Sequence, residues 1–234
     1  MPQPWFEALA IIALAVALIS SALIAADIVA GHPQHMAIME YVWPITALYL
    51  GPLAVYAYWK LGRPMSKPAM RRMKGQHGGE KRRMAETRPF WQTVWIGVSH
   101  CGAGCTLGDL TAEWAIFIMA VAIAGASFWP EILLDFALAY IFGIVFQYFS
   151  IAPMRGISGW RGIWAAMKAD TLSLTAFEIG LFGWMALERF VIFPQLATDN
   201  PAHWFMMQIG MCIGFATAFP MNWWLIRRGI KEAM

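Results

Sequence analysis

The chain has few charged residues and few cysteines. Lys, Arg, Asp and Glu make up 13% of its 234 residues, whereas a soluble domain has about 25%. Three residues are cysteine, and 59% of the chain is hydrophobic. The low charge excludes an ordinary soluble domain and indicates a membrane protein that spans the bilayer several times.

Several signatures of catalysis and of nucleic-acid binding are missing. The sequence contains no C-x-x-C-H haem attachment motif, no Gly-rich phosphate loop and no Ser–His–Asp signature. No stacked aromatics or binding motif accompany its basic residues, so nucleic acid is not expected as a partner. The sequence therefore favours a role other than catalysis and leaves the question of an enzyme open.

Six apolar stretches can be separated along the chain. They cover residues 5–30, 38–59, 90–129, 132–152, 171–193 and 203–226. Each simple stretch reaches the roughly 20 residues needed to cross about 30 Å of hydrocarbon. We therefore predict an all-α, polytopic membrane protein in which residues 1–234 form a single transmembrane domain of six helices.

The basic residues predict the orientation of these helices. Every Lys and Arg except Arg189 falls on one side of a six-span arrangement, and most lie in a loop at residues 61–89. Under the positive-inside rule this side is cytoplasmic. We therefore predict cytoplasmic amino and carboxyl termini and a basic cytoplasmic loop able to contact anionic lipid headgroups.

The third stretch is too long for one span. Residues 90–129 as a single helix would extend about 60 Å at 1.5 Å per residue. Its glycines predict a break near Gly102–Gly104. If the region is helical instead, four polar residues share one face at intervals of four: Cys101, Cys105, Asp109 and Glu113. Both conformations bring these polar groups together.

The most distinctive run of the chain is His100-Cys-Gly-Ala-Gly-Cys-Thr-Leu-Gly-Asp109, inside this stretch. Polar side chains in an apolar segment are costly and usually face a cavity or a pathway. His100, Cys101 and Cys105 are therefore candidate metal ligands. The candidates for proton exchange or further ligands are Asp109, Glu113 and, in the fifth stretch, Glu178. Alternatively, Glu178 is a protonated strut between helices and Asp109 caps a helix.

A second group of candidate ligands lies at the predicted outer ends of the spans. Its members are His32, His35, Met36, Met39, His203, Met207 and Met211, with Asp27 as a nearby carboxylate. Thiolate, thioether and imidazole together are the ligands that suit Cu(I). Methionine is also an adaptable packing residue, and the chain has 16 of them, so a purely structural role is the alternative.

Three runs of the sequence carry a resemblance to a known family. They are the His100–Asp109 run, Tyr41-Val-Trp-Pro-Ile-Thr-Ala-Leu-Tyr-Leu-Gly-Pro52 and Phe219-Pro-Met-Asn-Trp-Trp-Leu-Ile-Arg-Arg228. Together they resemble an uncharacterised bacterial membrane family, domain-of-unknown-function family four-three-nine-six, from about the second stretch onward. The resemblance implies a bacterial inner-membrane protein and brings no known activity or catalytic residue.

These observations predict an inner-membrane protein that binds or transports a soft transition metal. Copper, as Cu(I), fits the proposed pathway of His, Cys, Met and carboxylate groups best. Two alternatives stay open: a membrane redox protein that uses haem or thiol/quinone chemistry, and a structural accessory subunit of a larger membrane complex or homo-oligomer. Membrane lipid is a partner in all three.

Overall fold

The protein is helical wherever its structure is described. The computed structural model describes residues 2–34, 36–63, 89–119, 128–194 and 196–232. The α-helices in these ranges are α1 (Pro4–Val29), α2 (Met39–Leu50), α3 (Pro52–Ala57), α4 (Phe90–Met119), α5 (Phe128–Arg155), α6 (Gly159–Leu187) and α7 (Pro201–Arg227). Two π-helical turns, Tyr58–Gly62 and Glu188–Ile192, extend α3 and α6. The all-α prediction is confirmed.

The helices are those of a membrane protein. Among the described residues, three helical segments are long and apolar enough to cross a bilayer: Pro4–Val29, Ile132–Arg155 and Pro201–Arg227. Large apolar side chains on the surface of the bundle, such as Leu18 and Ile179, are more than half exposed. An apolar outer surface of this kind is stable against lipid and not against water.

Contacts at one end of the bundle give the directions of several helices. Phe6, at the start of α1, packs on Phe193 and Phe205 with ring centroids 5.2 and 5.7 Å apart. Trp114, near the end of α4, stacks on Trp204 at the start of α7. We call this the amino-terminal end of the bundle, and the end of α6 lies there too.

The opposite end carries most of the described basic residues, and we call it the basic end. Phe90, at the start of α4, packs on Trp223 near the end of α7, with centroids 4.7 Å apart. Arg155, at the end of α5, forms an ion pair with Glu232, which follows α7. Met36, between α1 and α2, accepts a hydrogen bond from α5. The end of α1 and the ends of α5 and α7 therefore meet here.

The helices α2 and α3 form a hairpin that enters the bundle and returns to the basic end. The chain reverses at Gly51, whose φ of 53° and ψ of −129° suit glycine, and Pro52 then opens α3. Trp43, near the start of α2, packs on the ring of Tyr58 and against Gly62 at the end of the hairpin. The 12 residues of α2 extend only about 18 Å, too short for a span.

The tip of this hairpin is fixed deep in the bundle by α7. Gln208 donates a side-chain hydrogen bond of 2.7 Å to the carbonyl oxygen of Leu48, and Cys212 donates one of 3.3 Å to that of Tyr49. Both carbonyls belong to the last turn of α2, where no helical N–H follows to satisfy them. Side chains from a neighbouring helix thus replace the missing partners, as non-helical backbone at membrane depth requires.

This hairpin differs from the single span that we predicted for residues 38–59, and the six spans with both termini on one side are not confirmed. Asp27, near the end of α1, accepts hydrogen bonds of 2.8 and 2.9 Å from Tyr58 and Arg63 at the end of the hairpin. The second apolar stretch therefore begins and ends at the basic end of the bundle. As a result, the start of α1 and the end of α7 lie at opposite ends of the bundle. Residues 64–88 of the predicted basic loop 61–89 lie outside the described residues.

The predicted break near Gly102–Gly104 is wrong, because α4 continues without interruption through both glycines. A Cβ atom at Gly104 would lie 2.7 Å from the Cα atom of Gly143 in α5, and one at Gly108 would overlap the backbone of Ala139. The glycines therefore form a contact surface for α5. Small residues are common at such contacts in membranes, where helices associate through close packing and not through the hydrophobic effect.

Replacing Tyr58 by Phe is expected to loosen the hairpin from α1. Tyr58 is fully buried and its hydroxyl donates to Asp27, so the variant loses a hydrogen bond to a charged group, worth about 1.5–3 kcal/mol. Thermal unfolding in detergent measures the loss. Tyr56→Phe is the matched control, because Tyr56 is 61% exposed; equal effects of the two substitutions would contradict the anchoring role.

Candidate functional site

Four polar residues of α4 lie on one face and point into the bundle. Cys101, Cys105, Asp109 and Glu113 follow one another at intervals of four, and each is at most 3% exposed. The helical alternative for this region is therefore the correct one. The regular geometry of the helix brings the groups together, with no irregular backbone.

The two thiols of α4 lie in a sulfur-rich part of the core. Cys101, Cys105, Met207 and Met211 belong to one packed group of buried side chains, which we call the thiol cluster. Both cysteines are free thiols. Thr106 donates a hydrogen bond of 3.7 Å to the sulfur of Met211, which holds this thioether against α4.

The Glu178 carboxyl group of α6 lies beside the thiol cluster. It interacts with the thiol of Cys105, which interacts in turn with that of Cys101. Glu178 is 1% exposed, and within the described part of the chain neither of its carboxyl oxygens has a conventional hydrogen-bond partner. The structure thus brings together Glu178 and the two cysteines that the sequence singled out.

Further carboxyl groups continue from this point toward the amino-terminal end. Asp109 is fully buried and interacts electrostatically with Glu178, Asp135 and Glu113. These four residues come from α4, α5 and α6. Buried carboxyl groups within a membrane protein are costly and are often part of a site or a pathway.

A small cavity at the amino-terminal end lies beside two of these carboxyl groups, those of Glu113 and Asp135. It has a volume of about 30 Å³, enough for water. Its polar lining comes from Glu113, Asp135, Glu188, Arg189 and His203, and Met185 and Met207 contribute thioethers. The Nε2 atom of His203 lies 3.4 Å from Oε2 of Glu113. Buried polar groups therefore extend from the thiol cluster to this end of the bundle.

His100 does not join the thiol cluster, although it precedes Cys101 in sequence. Its ring lies edge-on to Phe146, 6.1 Å away, and it interacts with Asp170 and Lys231 near the basic end. Neighbouring residues on a helix point about 100° apart, so the imidazole and the Cys101 thiol face different sides of α4. The structure therefore groups His100 with Asp170 and Lys231, and not with the thiol cluster.

The predicted outer group of His and Met ligands is divided between the two ends of the bundle. The members at the basic end are His32, Met36 and Met39. His203 is at the amino-terminal end, whereas Met207 and Met211 belong to the thiol cluster; His35 lies outside the described residues. Asp27 binds Arg63 and anchors the hairpin. The structure therefore does not bring these residues together at one end of the bundle, because residues 38–59 begin and end at the basic end.

Several residues of the interior were not singled out from the sequence. Tyr49, at the hairpin tip, is buried and interacts with Cys101, Cys105 and Cys212. A tyrosine in an apolar stretch is too common to stand out as a site residue. Its neighbour Gly51, followed by Pro52, was the signal that a turn interrupts the stretch.

The described residues contain no complete metal site. No group of three or more His, Cys, Asp or Glu side chains among them has the arrangement needed to hold a metal ion. The nearest to a soft-metal ligand set is the thiol pair Cys101 and Cys105 with the thioether of Met211. These groups have the right chemistry for Cu(I).

A comparison with protein families identifies the family of the chain. The family model described as Domain of unknown function (DUF4396) matches residues 90–231, more than half of the sequence. The chain belongs to this family. The DUF4396 region begins with the first residue of α4 and ends at Lys231, so it includes the thiol cluster and the carboxyl groups. It leaves out α1 and the α2–α3 hairpin.

Two further comparisons find no relative of this DUF4396 protein. No curated protein matches the chain. No solved structure matches it either.

Proposed function

We propose that this DUF4396 protein transports a soft metal cation, with Cu(I) as the best match, through the bacterial inner membrane. One observation carries the proposal: two free thiols, a thioether and a carboxyl group meet deep inside the bundle, at Cys101, Cys105, Met211 and Glu178. Thiolates and thioethers select Cu(I) over the harder divalent ions. Groups of this kind are costly inside a membrane and usually serve a pathway.

Proton transfer to carboxylates would accompany binding of the cation. A thiol must lose its proton to bind a metal, and the carboxylate of Glu178 is placed to take the proton of Cys105. Asp109 and Glu113 then offer further positions toward the cavity at the amino-terminal end. The metal and the protons would thus exchange within one group of buried residues.

The bundle geometry supports a revised topology. We propose five spanning helices, α1 and α4 to α7, with the α2–α3 hairpin re-entering from the basic end. The positive-inside rule makes the basic end cytoplasmic, because Arg63, Arg155, Arg227 and Arg228 are at this end and Arg189 is at the other. The amino terminus is then outside the cytoplasm, and the chain after α7 is inside.

The first test is the copper content of the purified protein. Wild-type protein, loaded with Cu(I) under anaerobic conditions and desalted, is expected to keep near-stoichiometric copper. A Cys101→Ser/Cys105→Ser variant is expected to bind Cu(I) at least about 100-fold more weakly, because it loses the thiolate ligands themselves. Elemental analysis and a competition titration with a Cu(I) chelator measure both quantities.

The third cysteine supplies the matched control. Cys212 donates to the carbonyl of Tyr49 and is not one of the proposed ligands. Cys212→Ser keeps a donor for this carbonyl and is expected to keep the copper. Wild-type protein that retains no copper would contradict the proposal. A haem absorption band in the same samples would favour the redox alternative, and a copper-free protein purified as a stable complex would favour the accessory subunit.

A further inference from the structure

Lys231 is buried in the bundle although it follows the last helix. Its ammonium group donates hydrogen bonds of 2.9 Å to Oδ1 of Asp170 and 3.3 Å to Oγ of Ser173. Lys231 is 1% exposed, and Asp170 and Ser173 are fully buried. Lysine is almost never buried to this extent, because the removal of its charge from water is costly.

A turn at the end of α7 directs Lys231 inward. Gly229 has a φ of +68°, a conformation that glycine adopts without strain. Ile230 donates its N–H to the carbonyl of Leu225, and Gly229 donates to that of Ile226, which is the Schellman pattern of a helix end. The position of Lys231 thus follows from a defined backbone turn, and the ion pair of Glu232 with Arg155 holds the next residue.

Several buried polar atoms near Lys231 do not form a hydrogen bond with its ammonium group. The second carboxyl oxygen of Asp170, the amide oxygen of Asn222 and both ring nitrogens of His100 have no hydrogen-bond partner in the described part of the chain. Asn222 donates to the hydroxyl of Ser173 at 2.7 Å, and His100 interacts with Asp170 and Lys231. Such atoms are rare in native interiors unless a ligand, an ion or water satisfies them.

We propose that Asp170, Ser173, Asn222 and His100 form a binding site for a small monovalent cation, and that Lys231 occupies this site as a tethered substitute. Carboxylate, hydroxyl and amide oxygens are ligands for hard ions such as Na⁺ and K⁺. The ammonium group carries the same charge and binds the same oxygens. Because Asp170 is the only carboxylate of the site, a divalent ion would leave an uncompensated positive charge in a region of low dielectric constant.

The site is separate from the thiol cluster. His100 faces a different side of α4 from Cys101. Asp170, Ser173 and Asn222 offer hard oxygen ligands, whereas the thiol cluster offers soft sulfur. The cation site therefore does not depend on copper transport, and a separate experiment tests it. It lies near the basic end, which the proposed topology makes the cytoplasmic end.

The test removes Lys231 and supplies the cation. In sodium- and potassium-free buffer, with N-methylglucamine to keep the ionic strength, the full-length Lys231→Ala variant is expected to melt roughly 5–20 °C below wild type, because Asp170 stays buried without its partner. Sodium or potassium chloride is expected to restore at least half of this loss, and the variant is expected to bind roughly one ²²Na⁺ per chain. Wild type is expected to show neither response.

Two control variants separate a cation site from a structural ion pair. Arg228→Ala removes an exposed charge from the same segment and is expected to behave as wild type. Lys231→Ala/Asp170→Asn is expected to regain stability and to lose the response to sodium. The proposal is overturned if neither sodium nor potassium stabilises Lys231→Ala, if acid alone does so, or if the response persists without the Asp170 carboxylate.

Discussion

A Gly108→Leu variant is expected to fail to form the native bundle. Even a Cβ atom at Gly108 would overlap the backbone nitrogen and Cα of Ala139, and backbone atoms cannot move aside as a flexible side chain can. Helices α4 and α5 would have to separate along their contact. We expect a loss of more than about 3 kcal/mol of stability, measured as the fall in monodisperse protein on size-exclusion chromatography and in the melting temperature.

Gly183→Leu is the matched control for this prediction. Gly183 is also in the interior of a long helix, α6, but a Cβ atom there would meet nothing within 4 Å. The substitution therefore adds an apolar side chain on the lipid-facing surface and is expected to leave the protein unchanged or slightly more stable. A similar loss for Gly183 and Gly108 would mean that the effect comes from the leucine side chain itself and not from the contact with α5.

Labelling of single introduced cysteines is expected to place Gln3 outside the cytoplasm and Gln34 inside. The structure has Gln3 at the amino-terminal end, and Gln34 beside His32 at the basic end. A six-span protein with both termini in the cytoplasm requires the opposite result at both positions. The measurement is reaction with a membrane-impermeant maleimide in intact cells and again after the membrane is opened, with the native cysteines replaced by serine.

Two positions control for this measurement, because both topologies agree on them. A cysteine at Asp199 is expected to react in intact cells, and one at Arg228 only after the membrane is opened. If these controls behave as expected while Gln3 is protected and Gln34 reacts, α2 and α3 span the membrane and the hairpin is wrong. In intact cells, nearly complete labelling is expected at Gln3 and only background labelling at Gln34.

The helical content and the polar face of α4 were predictable from the sequence. Cys101, Cys105 and Asp109 recur every four residues, and this spacing alone puts them on one face of a helix. Glu178 was equally predictable, since a carboxyl group in the middle of an apolar stretch must be buried among helices or neutral. Local periodicity determines these features, so no knowledge of the rest of the fold was needed.

The direction of the second apolar stretch was not predictable from its length. Hydropathy shows that residues 38–59 can lie in the membrane, but it does not show whether they cross. The backbone conformation of Gly51 reverses the chain within this stretch. The ion pair between Asp27 and Arg63, which are 36 positions apart, then holds the end of the stretch beside the end of α1. The role of Gly104 and Gly108 was not predictable from the sequence either. Glycine weakens an isolated helix, whereas here the absence of a side chain allows close contact with α5.

Lys231 shows a third limit of reasoning from sequence. A lysine after an apolar helix usually serves orientation, and its burial depends on Gly229 and on a carboxylate 61 positions earlier in the chain. No local pattern connects these residues.

The bonds at the hairpin tip set an order of assembly in the membrane. The carbonyl groups of Leu48 and Tyr49 find their partners in Gln208 and Cys212, which are 160 and 163 residues further along the chain. Until α7 has been synthesised and inserted, those carbonyls have no donor at membrane depth, where unsatisfied backbone groups are costly. We therefore expect the hairpin to stay near the membrane surface until the later helices have inserted. Its docking into the bundle would then be one of the last steps in the assembly of the protein.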